Sequence, residues 1–182
     1  GKKILDFTGG LGVLNHGHNH PRILEARIKF QKEKRVEVHK VIFSPYQAML
    51  AKKLASLLPA DLNKSFFPNS GAEANEAALK LARRYAVDNF GPEKDVIISF
   101  KRGFHGRTLF TVSVGGKAIY SEGFGPKPAA IEHATYNDLD SLKALISDKT
   151  CAVMVEPIQG EGGIIAADQS FLEGVRELCD QH

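Results

Sequence analysis

The chain has 182 residues, enough to bury a core without disulfides or metals to hold it together. Its apolar share of 43% and charged share of 25% exclude a disordered chain, and no apolar run approaches a membrane span. A net charge of +3, evenly spread, argues against a nucleic-acid or membrane-surface binder, and two cysteines, Cys151 and Cys179, make no disulfide framework and fit a reducing cytosol.

Ile4–Phe7 reads as a short strand, and Thr8–Gly17 as a glycine-rich turn and loop. Pro21–Val38 predicts a helix, with Pro21 suited to its start and Ile23, Leu24 and Ile28 on its opening turns. A second helix spans Gln47–Leu58, with Leu50, Leu54 and Leu57 at helical spacing and Pro59 ending it. Lys64–Phe67 is short and extended. Glu73–Tyr85, rich in Ala, Leu, Lys and Arg, predicts a strong helix. Val96–Phe100 and Leu109–Val114 are β-rich runs. Asp138–Ser147 reads as a helix, Cys151–Val155 as a strand buried on both faces, and Phe171–Cys179 as a further helix. Alternating strands and helices predict an α/β domain over residues 61–182, with a mainly parallel sheet flanked by helices. Residues 1–60 are more helical and read as an arm or linker. Gly1–Phe7 has the look of mid-protein strand sequence and Asp180-Gln181-His182 of a helix end, so both ends look cut.

Three segments carry chemistry. In Asn69-Ser70-Gly71-Ala72-Glu73-Ala74-Asn75-Glu76, an extended run feeds a helix, with Ser70 at the N-cap and Glu73 three residues on, as in a capping box. Gly71 lets a ligand approach the backbone, and open N–H groups with the helix dipole favour an anion such as phosphate. A well-capped helix that binds nothing fits the same residues. In Phe104-His105-Gly106-Arg107-Thr108, an aromatic, an imidazole and a guanidinium lie close enough to stack on a planar ring and to hold a carboxylate bidentately; a solvated surface turn is the alternative. Val155-Glu156-Pro157-Ile158-Gln159-Gly160-Glu161-Gly162-Gly163 follows a strand, where ligands of open α/β sheets sit, and Glu161 is placed to bring a carboxylate over a pocket unless the loop is simply mobile.

In this order and spacing the three segments resemble those of class-III pyridoxal-phosphate aminotransferases. Asp6-Phe7 followed by Gly17-His18-Asn19-His20-Pro21 also resembles that family's N-terminal region. From Ala77 onward, with Gly123-Phe124-Gly125-Pro126-Lys127-Pro128 and Glu177-Leu178-Cys179-Asp180, the likeness is nearest to acetylornithine and succinylornithine aminotransferases. The first seventy residues are more like other class-III branches.

The resemblance implies the fold-type I transferase, with residues 61–182 as the first part of its pyridoxal-phosphate-binding large domain and residues 1–60 as an N-terminal segment of a smaller domain. It implies that Ser70, Gly71 and Ala72 cradle the phosphate of pyridoxal 5′-phosphate, and that Phe104 stacks on its ring beside His105. Arg107 resembles the arginine that holds the substrate carboxylate. Glu161 resembles the glutamate that pairs with a second, C-terminal arginine and gates which substrate half enters. The implied reaction moves an ω-amino group from an acetylornithine- or succinylornithine-like donor to 2-oxoglutarate, in a cytoplasmic homodimer. A γ-aminobutyrate, putrescine or diaminobutyrate aminotransferase is the alternative within the class, and a non-catalytic phosphate-ligand-binding module the alternative outside it.

The family's aspartate in an Asp-Glu-Val-Gln-like strand, and its later Schiff-base lysine, have no counterpart here. Lys101 and Lys117 read as solvated. These residues alone are therefore expected not to transaminate. Other signals are set aside. His16, His18 and His20 alternate, but Gly17 and Pro21 break the strand that would align them, and no ligand set for a metal is completed. Gly9-Gly10-Leu11-Gly12 lacks dinucleotide spacing, and Lys29, Lys32, Lys34 and Arg35 are interleaved with Glu33 and Glu37 as on a solvated helix face.

Overall fold

The computed structural model describes residues 1–35, 41–59 and 61–182. They divide into two compact units, residues 1–65 and 66–182. In the first unit, α1 (Gly9–Gly12) is a single turn, and α2 (Pro21–Lys32) and α3 (Pro45–Ala55) each begin with proline in the first turn. Ile4–Phe7 forms no strand. Asp6 instead turns the chain, its carboxylate accepting from Thr8 N at 2.8 Å, Thr8 Oγ1 at 2.7 Å and Gly9 N at 3.1 Å. These bonds, the Thr8 hydroxyl first and His18 next, hold the Asp6 carboxyl well below the usual carboxylate range. Helix α2 stops at Lys32, short of the expected Val38; Glu33 closes it, and residues 36–38 of the expected helix lie outside the described residues. Arg35 pairs with Glu33 and donates to Tyr46 Oη at 2.7 Å.

In the second unit, α4 (Gly71–Phe90) is capped by Ser70 and closed by Gly91 at φ +106°, so it outruns the expected Glu73–Tyr85 at both ends. The sheet is β2 (Ile131–Ala134), β1 (Val96–Phe100) and β3 (Thr150–Val153) in that order, all parallel, with Ile97 opposite Ile131 and Ile98 opposite Val153. The remaining elements are α5 (Leu109–Val114), α6 (Ala118–Ser121), α7 (Leu139–Lys143), the antiparallel pair β4 (Ile158–Gln159) and β5 (Ile165–Ala166), and α8 (Gln169–Gln181).

Side-chain alternation on β1 builds two cores. Ile98 and Phe100 face Ala134, Leu142 of α7, and Phe171 and Val175 of α8; Ile97 faces Leu79 of α4 and Val114 of α5. Ser99, fully buried beside Ile97, donates its hydroxyl to Val114 O at 2.5 Å, so the polar group is satisfied.

The structure departs from the sequence reading at four further places in this unit. Leu109–Val114 is helical although its residues favour strands. It lies in the crossover between parallel β1 and β2, where a helix returns the chain, and its hydroxyls bond locally: Ser113 Oγ donates to Leu109 O at 2.7 Å. Strand β2, which the sequence did not mark, has one strong β-former in Ile131, and Glu132 is exposed. The Cys151–Val155 run gives β3 only as far as Val153. Cys151–Val153 are half-buried rather than covered on both faces, because β3 is an edge of this sheet and β1 is its interior strand. Helix α7 ends at Lys143, short of Ser147, with Asp138 accepting from Ser141 N at 2.9 Å at its start.

Candidate active site

Helix α4 offers the first part of the site. The Ser70 hydroxyl accepts from Glu73 N at 3.2 Å, and the Glu73 carboxylate accepts from Asn69 N at 2.6 Å, so the turn into the helix is fixed from both sides. The Gly71 and Ala72 amides stand in the first turn, where N–H groups have no partner within the helix.

The loop after β1 lies on that helix start. A Cβ added at Gly106 would come within 2.7 Å of both Ala72 Cβ and Thr111 Oγ1, and its φ of +129° is open to glycine, so no side chain fits between loop and helix. Asn75 Nδ2 donates to His105 O at 2.7 Å, and Thr108 Oγ1 donates to Glu76 Oε1 at 2.5 Å. Ala72, Asn75 and Glu76 stand at i, i+3 and i+4, one face of α4 turned to the loop. His105 is 5% exposed; burial, with a smaller push from the charge of His133, lowers its pKa to about 4, so the imidazole is neutral near pH 7.

Glu156 and the β4–β5 turn supply the third part. Burial pushes the Glu156 carboxyl up, against the hydrogen bond that it accepts from Phe104 N at 3.2 Å. Its carbonyl accepts from Tyr136 Oη at 2.7 Å. Buried Gln159 donates to Lys101 O at 3.0 Å, and a Cβ at Gly162 would strike Gln159 Oε1 at 2.5 Å, which seats the turn against the residues following β1. Glu161 is therefore anchored. Lys117 Nζ donates to its carbonyl at 2.6 Å and lies 3.4 Å from its carboxylate, and Tyr120 Oη donates to Oε2 at 3.2 Å. The Arg107 guanidinium sits 3.9 Å from the Tyr120 ring centroid and 5.7 Å from that of Phe104, whose ring meets Tyr120 edge-on at 6.3 Å.

All three segments thus meet in one unit. Ala72 touches the loop that bears His105 and Arg107, and Arg107 and Glu161 meet through Tyr120. Lys117 is not the solvated lysine expected from the sequence, because Glu161 holds it. Lys101 approaches Thr135 Oγ1 at 3.5 Å. Sequence reading gave no role to Asn75, Glu76, Glu156, Lys117 or Tyr120. Helical spacing from Ala72 was the available signal for Asn75 and Glu76; contacts between residues 117–120 and 161 depend on tertiary folding and leave no local pattern. Elsewhere, in the first unit, His18 Nε2 lies 2.8 Å from Asp6, and the His16 and His20 rings meet edge-on at 5.8 Å.

Residues 1–182 match the family Aminotransferase class-III. The chain belongs to the class-III aminotransferases. It is 57% identical over all 182 residues to acetylornithine aminotransferase of Vibrio cholerae serotype O1, covering 44% of that protein. It is 53% identical, again over its full length and 44% of the relative, to acetylornithine/succinyldiaminopimelate aminotransferase of Photorhabdus laumondii. Among solved structures, the ornithine aminotransferase of Toxoplasma gondii, crystallised with partial occupancy of PLP at its active site, aligns with a TM-score of 0.89 and 30% identity, over 100% of this chain and 43% of that one. The chain spans less than half the length of the curated relatives it matches.

Class-III aminotransferases are pyridoxal-phosphate enzymes, and the residues here suit that group. A capped helix start suits its phosphate, the Phe104 ring suits a planar heterocycle, and the neutral His105 imidazole adds no charge next to Phe104. No helix among the described residues is long and apolar enough to cross a membrane.

Proposed function

We propose that the protein containing these residues transfers an ω-amino group from an acetylornithine- or succinylornithine-like donor to 2-oxoglutarate. Support comes from the aminotransferase relatives and from one observation above the others: Arg107 and Glu161, a guanidinium and an anchored carboxylate, share Tyr120 beside the loop that bears Phe104.

Pyridoxal phosphate, when bound, supplies the electron sink for the bond broken at the amine-bearing carbon. The chain's residues supply its setting. The Gly71 and Ala72 amides and the Ser70 hydroxyl hold the phosphate. Phe104 stacks on the ring, kept at height by the Glu156 bond to its backbone. His105, buried next to Phe104 in the chain, is held neutral and adds no charge there. Arg107 takes the substrate's carboxylate bidentately, and Glu161 decides how a second carboxylate is received. We assign the proton-carrying lysine and the acidic partner of the ring nitrogen to parts of the protein that these residues do not include, so that residues 1–182 alone do not transaminate. Half-buried Cys151 and Cys179, both free thiols, agree with a cytoplasmic setting. The family likeness supports a homodimer.

The test is a half-reaction amine screen on the full-length protein, following cofactor absorbance. The Arg107→Ala variant is expected to raise KM at least tenfold, the worth of a charge-assisted bidentate pair, with cofactor absorbance retained. Glu161→Gln is expected to shift preference between donor and 2-oxoglutarate. An unchanged KM in the first variant, or equal effects on both halves in the second, removes the assigned role.

A further inference from the structure

We propose that Tyr120 is a positioning residue that couples the two substrate-recognition groups, with Lys117 as its auxiliary. This rests on the roles just given to Arg107 and Glu161. Tyr120 belongs to α6, a four-residue helix in the crossover between β1 and β2. Its ring and hydroxyl do different things. The ring face lies 3.9 Å from the Arg107 guanidinium, close enough for a cation–π contact that orients the fork. The hydroxyl, at the other end of the same rigid side chain, donates to Glu161 Oε2 at 3.2 Å. Phe104 braces the ring edge-on at 6.3 Å. Lys117, at the N-cap of α6 and 20% exposed at its side chain, grips Glu161 at both carbonyl and carboxylate. A movement of Glu161 therefore pulls on the side chain against which Arg107 rests.

Because the two functions sit on separate atoms, two substitutions separate them. Tyr120→Phe keeps the ring and removes the hydroxyl. In the full-length enzyme loaded with pyridoxal phosphate, it should change the ratio of donor to 2-oxoglutarate half-reaction rates in the direction of Glu161→Gln, by about fivefold, the worth of one hydrogen bond. The donor KM and cofactor absorbance should hold. Tyr120→Leu removes both contacts and should add a rise of about threefold in donor KM, the scale of an exposed cation–π contact. Lys117→Met should shift the ratio in the same direction as Tyr120→Phe, and Lys117→Arg should restore it. A merely structural role for Tyr120 would lower both half-reactions together. Equal loss in both halves for Tyr120→Phe, or a Tyr120→Leu variant no different from Tyr120→Phe, overturns the coupling. Silent Arg107→Ala and Glu161→Gln variants overturn the functional reading and the coupling with it. Effective reference variants beside a silent Tyr120→Phe overturn the coupling alone.

Discussion

Residues 1–65 and 66–182 both carry many apolar side chains and use them differently. No described residue of the first unit is buried: Ile4, Phe7 and Phe43 stand 87%, 89% and 79% exposed. Its helices form on local signals, proline in the first turn of each and a serine cap on α3, without a buried core behind them. In the second unit Ile97, Ile98 and Phe100 are sealed on both faces of β1, and each group of the candidate site is carried by a segment that this sheet holds. The difference teaches that a buried sheet holds distant segments together, as local helix signals alone do not. Asp6 and His18 meet at 2.8 Å in the open, whereas His105, sealed beneath its loop, is forced to stay neutral.

The largest effect expected from this contrast is at Phe100. It packs edge-on against Phe171 at 5.3 Å and Tyr136 at 5.9 Å, so Phe100→Ala should cost about 3–5 kcal/mol in urea unfolding. Phe43→Ala, at an exposed ring, should cost no more than about 0.5 kcal/mol. A comparable loss at Phe43 would break the contrast and show that something outside these residues covers it.

How much of this was legible beforehand follows the same division. Val96–Phe100 reads as a strand because β-branched and aromatic residues run between breakers, and Glu73–Tyr85 as a helix because its cap and composition agree. Leu109–Val114 misled because strand propensity is weak where a parallel crossover demands a helix. Strand β2 was silent because an edge strand needs few apolar residues. At the candidate site, the capped start of α4 and the loop around Phe104 and Arg107 are each contiguous in sequence, so each could be read as a segment. Glu156 under Phe104, and Lys117 and Tyr120 on Glu161, pair residues more than forty apart, and nothing local marks them.

Next in size is the pH dependence. The folded pKa of His105, about 4, lies below its ordinary value of 6.5, so between these limits the unfolded chain binds more protons. The His105 contribution is then full above pH 6.5 and is lost as pH drops toward 4. Burial also lowers the pKa of His133, which acts with the same sign. Urea midpoints of the full-length protein from pH 7 to 4 should trace this slope, and His105→Gln should flatten it. His18→Ala, at an exposed pair screened by solvent, should leave it alone. An equal flattening from both variants would erase the distinction between the units.

The smallest effect gives the finest comparison, because the two units contain the same device. Ser44 caps α3 by accepting from Gln47 N at 3.4 Å, and Ser70 caps α4 by accepting from Glu73 N at 3.2 Å. Replacing either by alanine should cost about 1 kcal/mol of stability, less at Ser44, where the bond is long. The cofactor should tell them apart. Ser70→Ala removes a hydroxyl from the phosphate cradle as well as a cap, so it should shed pyridoxal phosphate faster during dialysis against inorganic phosphate, followed by absorbance. Ser44→Ala should shed it at the parent rate. If the two variants lose cofactor alike, the start of α4 is only a well-capped helix, and the phosphate must be held elsewhere.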